Sequence, residues 1–365
     1  MNRSLLRVLR AVKEGLDEAF GPAVQRWRRA GPPDLRPYCG FGTPSAVTVQ
    51  GRVLRPYGLH RGSSGDPSWL NLRRMTLRLL SQEINGVAVV GRLNGTEAQA
   101  VTDEEGYFEL HFALPEALSG TWHTAEVTLP HHAERADVPV RVVETADFGV
   151  ISDLDDTVVR TGMRRFWQML DTVMLGNSHT RLPFAGVGEL YQALVRGPDG
   201  QGDNPLFYVS SGPWNFYGLL WRFLEKREVP LGPLFLRDWG LRTLAGSHGD
   251  HKLDAIGRLM TTYPDLAFVL IGDSGQEDPE IYREAARRFP GRVRAIYIRD
   301  VTGRRRHAEV LKVREEVQAE GTDLRLVRDS LAAAQHAHAT GLIAPGALPG
   351  IAAGVAEDRA ARGRD

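Results

Sequence analysis

The sequence predicts an α/β protein with a doubly wound parallel sheet, preceded by a small all-β domain and an amphipathic helix. Apolar residues recur at helical spacing near the N-terminus, alternate with period two in the next hundred residues, and then form unalternated runs separated by helical stretches. Such runs are typical of parallel strands covered on both faces. We predict four segments: an N-terminal helix and linker (1–44), a β-sandwich (45–145), a Rossmannoid parallel domain (146–325) and a C-terminal helical tail (326–365).

Composition limits the possible functions. A length of 365 residues suits two domains, and 45 basic against 45 acidic residues give no net charge that would attract nucleic acid. The single cysteine, Cys39, excludes an internal disulfide and a thiolate zinc cluster. No apolar run approaches the ~20 residues of a membrane-spanning helix, and basic residues interrupt any N-terminal signal sequence. We therefore expect a cytoplasmic protein that does not bind nucleic acid.

An amphipathic helix is predicted over residues 3–29. Seven basic and three acidic residues give this segment a net charge of +4. The apolar stripe fits packing on the protein body, which we favour, but a basic amphipathic helix also suits peripheral binding to an anionic membrane. Proline and glycine then predict a linker over 30–44.

Alternation between 45 and 145 predicts an antiparallel β-sandwich. Val47 and Val49 alternate with polar residues, as do Phe108, Leu110 and Phe112. The string TDEEGYFELHF resembles the turn and strand of transthyretin-like or immunoglobulin-like accessory domains, whose ligand the sequence does not indicate. Three histidines are expected in surface loops, because no acid or cysteine stands at metal-ligand spacing: His123, His131 and His132.

Five apolar runs are predicted as parallel strands, at 148–152, 205–209, 233–236, 266–271 and 293–298. Helical patterns between them include 215–227 and 278–289. Ligands of a doubly wound sheet bind beyond the carboxyl ends of its strands. Polar residues follow three of these strands: Asp153 and Asp155, then Ser210 and Ser211, then Asp273.

This set of residues suits phosphoryl transfer. One carboxylate of Asp153 and Asp155 can attack phosphorus, and the other can protonate the leaving oxygen and then activate water. Phosphate facing carboxylates requires a cation, and Mg²⁺ prefers oxygen ligands such as Asp153, the backbone carbonyl of Asp155, and Asp273.

Three further groups can stabilise the transferring phosphoryl group. Lys252 opens a helix that leads to the fourth strand and can balance negative charge. The strand-terminal serines can donate hydrogen bonds, and Gly212 precedes a helix whose first amides face an anion. Each motif alone has a structural explanation as a polar loop, a turn, a strand exit or a solvated lysine; their order and placement favour catalysis.

The motif Asp153-x-Asp155-x-Thr157, the strand-terminal serine, Lys252 and GDSGQED resemble, in this order, the haloacid dehalogenase superfamily. The longer strings SDLDDTVVRTG, YVSSGPWNFY, HKLDAIGRLMTTYP and LIGDSGQEDPEIYREAARRFPGRVRAIYIRDV resemble the catalytic domain of the actin-patch-associated phosphatidate phosphatases, relatives of lipins. The resemblance covers about residues 145–305. It implies a haloacid-dehalogenase-like fold and Mg²⁺-dependent hydrolysis of phosphatidate to diacylglycerol through an aspartyl-phosphate.

The resemblance also implies residue roles. Asp153 would be nucleophile and metal ligand, Asp155 general acid/base and metal ligand, and Lys252 the charge-balancing lysine. Ser210 would bind phosphate, with Ser211 as the less favoured choice.

The remaining motif residues would support this centre. Asp273 would bind the metal, assisted by Asp278 or Glu277. Thr157 would hydrogen-bond the loop of Asp153, whereas Asp156 receives no definite role.

Two features bear on the substrate. Only about fifty residues separate the first two strands, so no large cap is expected and the site should be open, which suits a lipid headgroup or a macromolecule. The apolar residues between 166 and 175 fit contact with acyl chains or ordinary packing equally well. Arg304 and Arg305, in the string RDVTGRRRH, are predicted to hold an anionic headgroup or to form a solvated turn.

We consider three functions. The first is a Mg²⁺-dependent phosphatidate phosphatase that meets phospholipid at a membrane surface. The second is a phosphatase with the same mechanism on a phosphoprotein, a sugar phosphate or a nucleotide. The third is a non-catalytic phospholipid-binding module, which is disfavoured because both Asp153 and Asp155 are present. The sequence does not indicate the oligomeric state.

Overall fold

A computed structural model describes residues 32–55, 82–154, 186–237 and 248–362 of the chain. The predicted helix at 3–29, the apolar stretch at 166–175, and Asp155, Asp156 and Thr157 lie outside these residues. No helix of the described part is long and apolar enough to cross a membrane.

The described chain forms fifteen strands and seven α-helices. The strands are β1 (Asp34–Pro37), β2 (Gly40–Thr43), β3 (Ala46–Arg55), β4 (Gln82–Glu83), β5 (Ala88–Leu93), β6 (Thr96–Val101), β7 (Tyr107–Ala113), β8 (Trp122–Thr128), β9 (Arg135–Val142), β10 (Gly149–Asp153), β11 (Leu206–Pro213), β12 (Leu234–Arg237), β13 (Phe268–Asp273), β14 (Val293–Arg299) and β15 (Leu324–Val327). The helices are α1 (Val187–Arg196), α2 (Tyr217–Lys226), α3 (His248–Thr262), α4 (Asp278–Arg288), α5 (Arg304–Ala319), α6 (Ser330–Ala339) and α7 (Leu348–Arg362). They divide into two compact units, one all-β and one α/β.

The all-β unit is one nine-stranded sheet with the order β1-β3-β2-β9-β8-β5-β6, in which β4 and β7 also pair with β3. Its strands alternate as predicted, with Val47, Val49 and Leu110 buried between neighbours that are half-buried or exposed. The sheet curls: a Cβ on Gly91 of β5 would lie 2.7 Å from Leu110 and 2.8 Å from Phe112 of β7, which is not its neighbour in the sheet. The strand prediction is confirmed, whereas the two separate sheets of a sandwich are replaced by one curled sheet.

The prediction of a linker over 30–44 is wrong for β1 and β2. Glycines that suggested a loop are required here by close packing. A Cβ on Gly40 would lie 2.8 Å from Val49, and one on Gly42 would lie 2.1 Å from the carbonyl oxygen of Ala46. Both contacts are shorter than side chains tolerate, so glycine allows β2 to pair with β3.

The α/β unit is built on a six-stranded parallel sheet with the order β12-β11-β10-β13-β14-β15. All five predicted strands are present, and the predicted helices at 215–227 and 278–289 correspond to α2, after a 3-10 turn at Trp214–Phe216, and α4. The chain winds to one side of β10 through β11 and β12, and to the other through β13, β14 and β15. The gap between the ends of β10 and β13 is therefore the topological switch point, where doubly wound sheets bind ligands.

The last helices pack on this unit. Ile351 and Val355 of α7 are buried. Gly354 lies so close to α1 that a Cβ there would be 2.6 Å from the carboxyl carbon of Glu189. The segment predicted as a C-terminal tail thus contributes to the core, and β15 at its start completes the sheet.

Candidate active site

Two aspartates meet at the switch point because each ends one of the two central strands. β10 pairs in parallel with β13 through Ser152 and Ile271, so Asp153 and Asp273 leave the same sheet edge side by side. The strand residues behind them, among them Val150, Ile151 and Leu270, have no exposed surface. A rigid apolar strand therefore fixes each carboxylate at the edge.

Lys252 of α3 is buried between two carboxylates. Its Nζ lies 2.9 Å from Oδ1 of Asp153 and 2.8 Å from Oδ1 of Asp278. The side chains of Lys252, Asp153 and Asp278 are 3%, 2% and 0% exposed. Charges removed from water are costly unless they are paired and hydrogen-bonded, and this geometry pairs all three.

Asp278 holds two parts of the site together. While Oδ1 accepts from Lys252, Oδ2 accepts from the backbone N–H of Asp273 at 3.0 Å. This approach requires Gly272, because a Cβ there would lie 2.5 Å from Oδ2 of Asp278. The strand exit at Gly272-Asp273 was predicted as one explanation of this motif, and the structure shows in addition that the glycine makes room for Asp278.

The carboxylates of Asp153, Asp273 and Asp278 lie within 4.8 Å of one another. Together with Lys252, and with all three carboxylates ionised, these four side chains have a net charge of −2. Three carboxylates with this excess of negative charge fit a hard divalent cation, for which carboxylate oxygens are preferred ligands.

A second layer of polar contacts fixes the loop after Asp273. Ser274 is buried, and its Oγ accepts from the N–H of Val301 at 2.9 Å. Arg306 of α5 donates to the carbonyl oxygens of Ser274 (3.1 Å) and Gln276 (2.7 Å), and to both carboxylate oxygens of Glu280 (2.6 and 2.7 Å). Burial alone would raise the pKa of Glu280, but hydrogen bonds with Arg306 lower it overall.

The three consecutive arginines of RDVTGRRRH therefore lie in two different environments. Arg304 and Arg305 are exposed on the first turn of α5, and Arg305 is 96% exposed with Glu309 at 3.4 Å. Arg306, which the sequence grouped with the same basic cluster beside the site, instead turns inward and fixes the loop after Asp273. Hydrogen bonding with Glu280 raises the pKa of its guanidinium.

Ser210 ends the regular part of β11. It is buried, and its Oγ accepts from the N–H of Gly212 at 3.0 Å. In the sheet register Asp153 pairs with Val209, and Ser152 pairs with Tyr208. Since neighbouring residues of a strand face opposite sides, Ser210 lies on the face of Ser152 and Tyr208.

Two buried tyrosines support the two central strands. Tyr191 of α1 shares a short hydrogen bond with Ser152, and the Tyr282 hydroxyl donates to the carbonyl oxygen of Ile271 at 2.9 Å. A third buried tyrosine, Tyr208 of β11, donates instead to the carbonyl oxygen of Pro230 at 2.6 Å. Burial raises the pKa of Tyr191 to about 12 and raises the pKa values of Tyr208 and Tyr282 well above their usual range, the latter with help from Asp278 and Asp153. All three hydroxyls are therefore neutral at physiological pH.

The structure thus brings together four of the predicted site residues, Asp153, Lys252, Asp273 and Asp278. Ser210, Ser211 and Gly212 lie at the end of the adjacent strand β11. Asp155 and Thr157 fall outside the described residues.

Comparison with known proteins places this site in a recognised domain. Residues 148–300 match the family model described as phosphatidate phosphatase APP1, catalytic domain. The chain is 31% identical over 184 residues to phosphatidate phosphatase APP1 of Saccharomyces cerevisiae, a match that covers 48% of this chain and 30% of that protein. It is 27% identical over 221 residues to an uncharacterized protein of Schizosaccharomyces pombe, C29B5.04c, covering 56% of this chain and 35% of that protein.

The chain thus spans about a third of the length of these relatives. Among solved structures, a carbohydrate acetylesterase from Xanthomonas citri overlaps 72% of this chain and 68% of its own with 10% identity and a TM-score of 0.27, which is too low to bear on the fold. The family assignment rests on the sequence match, which spans β10 to the end of β14 and contains every described residue of the acidic cluster. Residues 148–300 therefore match the family of the phosphatidate phosphatase APP1 catalytic domain, as the motifs around Asp153 and Asp273 predicted.

Proposed function

We propose that this protein is a phosphoric monoester hydrolase that releases phosphate from phosphatidate and leaves diacylglycerol. The observation that carries the proposal is the buried Asp153–Lys252–Asp278 arrangement beside Asp273 at the switch point, within residues that match a phosphatidate phosphatase family. Phospholipid would be met at a membrane surface by peripheral contact.

Asp153 is the proposed nucleophile. Lys252 holds Oδ1 at 2.9 Å, so the carboxylate keeps one orientation on the end of a rigid strand. Attack on phosphorus forms the bond from the Asp153 carboxylate to phosphorus and breaks the bond from phosphorus to the glycerol oxygen. Asp155, two residues on, would give its proton to that oxygen.

The second step regenerates the enzyme. Asp155, now a carboxylate, would take a proton from water as the water oxygen attacks phosphorus. The bond to Asp153 breaks, and inorganic phosphate leaves. Lys252 balances charge on the phosphoryl group in both steps, and Asp278 keeps the lysine in place.

The donor set fits Mg²⁺. The ion would be held by Asp153, Asp273 and the backbone carbonyl of Asp155, and Asp278 would assist. When bound, Mg²⁺ would neutralise the phosphate oxygens that otherwise face carboxylates. Because Lys252 and the Asp273 amide already occupy both oxygens of Asp278, we assign Asp278 mainly to positioning.

The phosphate-binding hydroxyl comes from Ser210 or Ser211. The pairing of β11 with β12 shifts between Ser210 and Pro213, so side-chain alternation does not decide between the two serines. We keep Ser210 as the favoured residue and Ser211 as the second choice, and Ser210→Ala should therefore reduce turnover more than Ser211→Ala.

The test measures phosphate release from phosphatidate vesicles and from a panel of soluble phosphomonoesters. We expect vesicle turnover that requires a divalent cation and is abolished by Asp153→Asn, while the exposed Asp137→Asn control keeps it. Turnover of soluble esters without turnover of phosphatidate would instead assign a phosphatase of another substrate class. Vesicle binding without turnover under any divalent ion would assign a lipid-binding module.

A further inference from the structure

Three aromatic rings form a ladder beside the acidic site. The ring of Trp214 stacks on that of Tyr217 with 6.2 Å between centroids, and Tyr217 stacks on Trp221 at 5.8 Å. The interplanar angles are 28° and 22°. The ladder starts three residues after Ser211, at the carboxyl end of β11, and extends along α2 for about 10 Å, given the rise of an α-helix.

The ladder is not part of the core. Trp214, Tyr217 and Trp221 are each half-buried, whereas Phe216 and Leu220 of the same segment are 2% and 1% exposed. The 3-10 turn and α2 therefore use one face for packing and present a second, aromatic face. The indole N–H of Trp221 donates to Glu225 at 3.1 Å, which satisfies its polar edge.

Two exposed arginines at the same edge of the sheet indicate what kind of surface the aromatic ladder contacts. Arg304 and Arg305 are exposed at the start of α5, which follows β14. β11 and β14 are three strand spacings apart in the sheet, about 14 Å, with Asp153 and Asp273 on the two strands between them. The acidic site is thus flanked by aromatic rings on one side and by exposed guanidinium groups on the other.

We infer that the Trp214–Tyr217–Trp221 ladder docks this protein on the interface of an anionic phospholipid bilayer. Tryptophan and tyrosine rings combine an apolar body with a polar tip and concentrate at the level of lipid headgroups. Arginines near an anionic membrane strengthen binding by electrostatic attraction to the lipid headgroups. The ladder fixes the bilayer against the edge that carries the site, so a phosphate headgroup enters between β10 and β13 without leaving the membrane. This inference depends on the proposed function only for the headgroup that enters.

The test uses the full chain and vesicles of phosphatidylcholine and phosphatidylglycerol without phosphatidate, so that binding is measured apart from turnover. We expect Trp221→Ala to lower the vesicle partition coefficient about five-fold, which corresponds to ~1 kcal/mol, and Trp221→Glu to lower it further. The matched control is Trp122→Ala, a tryptophan 42% exposed in the all-β unit, which should bind as the wild type does. Circular dichroism confirms that each variant is folded, and Trp221→Phe, which keeps an aromatic ring, should recover most of the binding.

The salt dependence of binding distinguishes the contribution of the arginines from that of the aromatic ladder. Arg305→Ala should lower binding at low salt and have little effect at high salt, whereas the effect of Trp221→Ala should persist. The inference would be overturned if Trp221→Ala and Trp221→Glu bound vesicles as the wild type does, or if Trp221→Ala and Trp122→Ala lost binding equally. A lack of phosphatidate turnover with normal vesicle binding would overturn the proposed function and leave the docking surface standing.

Discussion

Replacing Asp278 by asparagine tests whether this residue positions the site. Asparagine has nearly the same shape, but it offers one acceptor oxygen where aspartate offers two. Two donors face the wild-type carboxylate, Nζ of Lys252 at 2.8 Å and the N–H of Asp273 at 3.0 Å. In Asp278→Asn one of these donors therefore meets an NH2 group, and a buried donor without an acceptor costs about 1–3 kcal/mol.

The activity should fall as well. Either Lys252 or the amide of Asp273 must move, and both adjoin the proposed nucleophile and metal ligand. We expect kcat/KM on a soluble phosphomonoester to fall at least about ten-fold, equivalent to ~1.4 kcal/mol of transition-state stabilisation, together with the loss of stability in urea.

Asp329→Asn is the matched control. Asp329 is also buried, and it also accepts from a backbone N–H, that of Ala332 at 2.9 Å, and from a cation, Arg359. It lies at the start of α6, away from the acidic cluster, so its variant should lose stability and keep activity. An Asp278→Asn protein with wild-type stability and turnover would show that the two hydrogen bonds do not hold the site.

Three further predictions follow from the same contacts. Gly272→Ala should lower turnover and stability together, because the new Cβ would lie 2.5 Å from Oδ2 of Asp278; Gly188→Ala, with open space around its Cβ position, should change neither, and a fully active Gly272→Ala would contradict the packing requirement. Arg306→Lys should reduce turnover, because lysine cannot reproduce the paired contacts to Glu280 and the loop carbonyls, and Arg305→Lys is the control in a soluble-substrate assay. Tyr191 should weaken the fold at alkaline pH: its pKa rises from 10.0 to about 12 on folding, so the neutral form stabilises the fold fully below pH 10, and about 3 kcal/mol is lost as pH rises past 12, about half of it by pH 11. The fall in the free energy of unfolding between pH 8 and pH 11, measured in urea, should therefore be about 1.4 kcal/mol smaller in Tyr191→Phe than in the wild type, and an equal fall in both proteins would refute this.

The α/β unit could be predicted well because its signals are local. Apolar runs mark strands buried on both faces, and the polar residue after each run marks the sheet edge, so Asp153 and Asp273 were placed correctly from the sequence. β15 is not predicted because it is only four residues long, Leu324–Val327, and Arg325 interrupts its apolar residues. Its parallel pairing with β14 stabilises this short segment as a strand.

The missed features depend on contacts between distant residues. Tyr191 and Ser152 are 39 positions apart, and Lys252 and Asp278 are 26 apart, so spacing along the chain cannot reveal either pair. Two glycines show the same limit. The linker predicted over 30–44 includes Gly42, which lies in a strand, and the role of Gly272 in admitting Asp278 has no local signal; at both positions the absence of a Cβ admits another group at close range.

The arrangement of charges explains why the site combines a buried lysine with three acids. If Lys252 were the only counter-ion, one lysine would serve Asp153 and Asp278 and leave Asp273 beside them. If Lys252 were absent, three carboxylates within 4.8 Å would repel one another, and Asp153 would have no fixed orientation. With the lysine bound to two acids, the remaining charge of −2 would be neutralised by one divalent cation. Lys252 therefore orients the proposed nucleophile, Asp153, before a ligand arrives. The negative charge that remains favours a divalent metal ion over a second lysine.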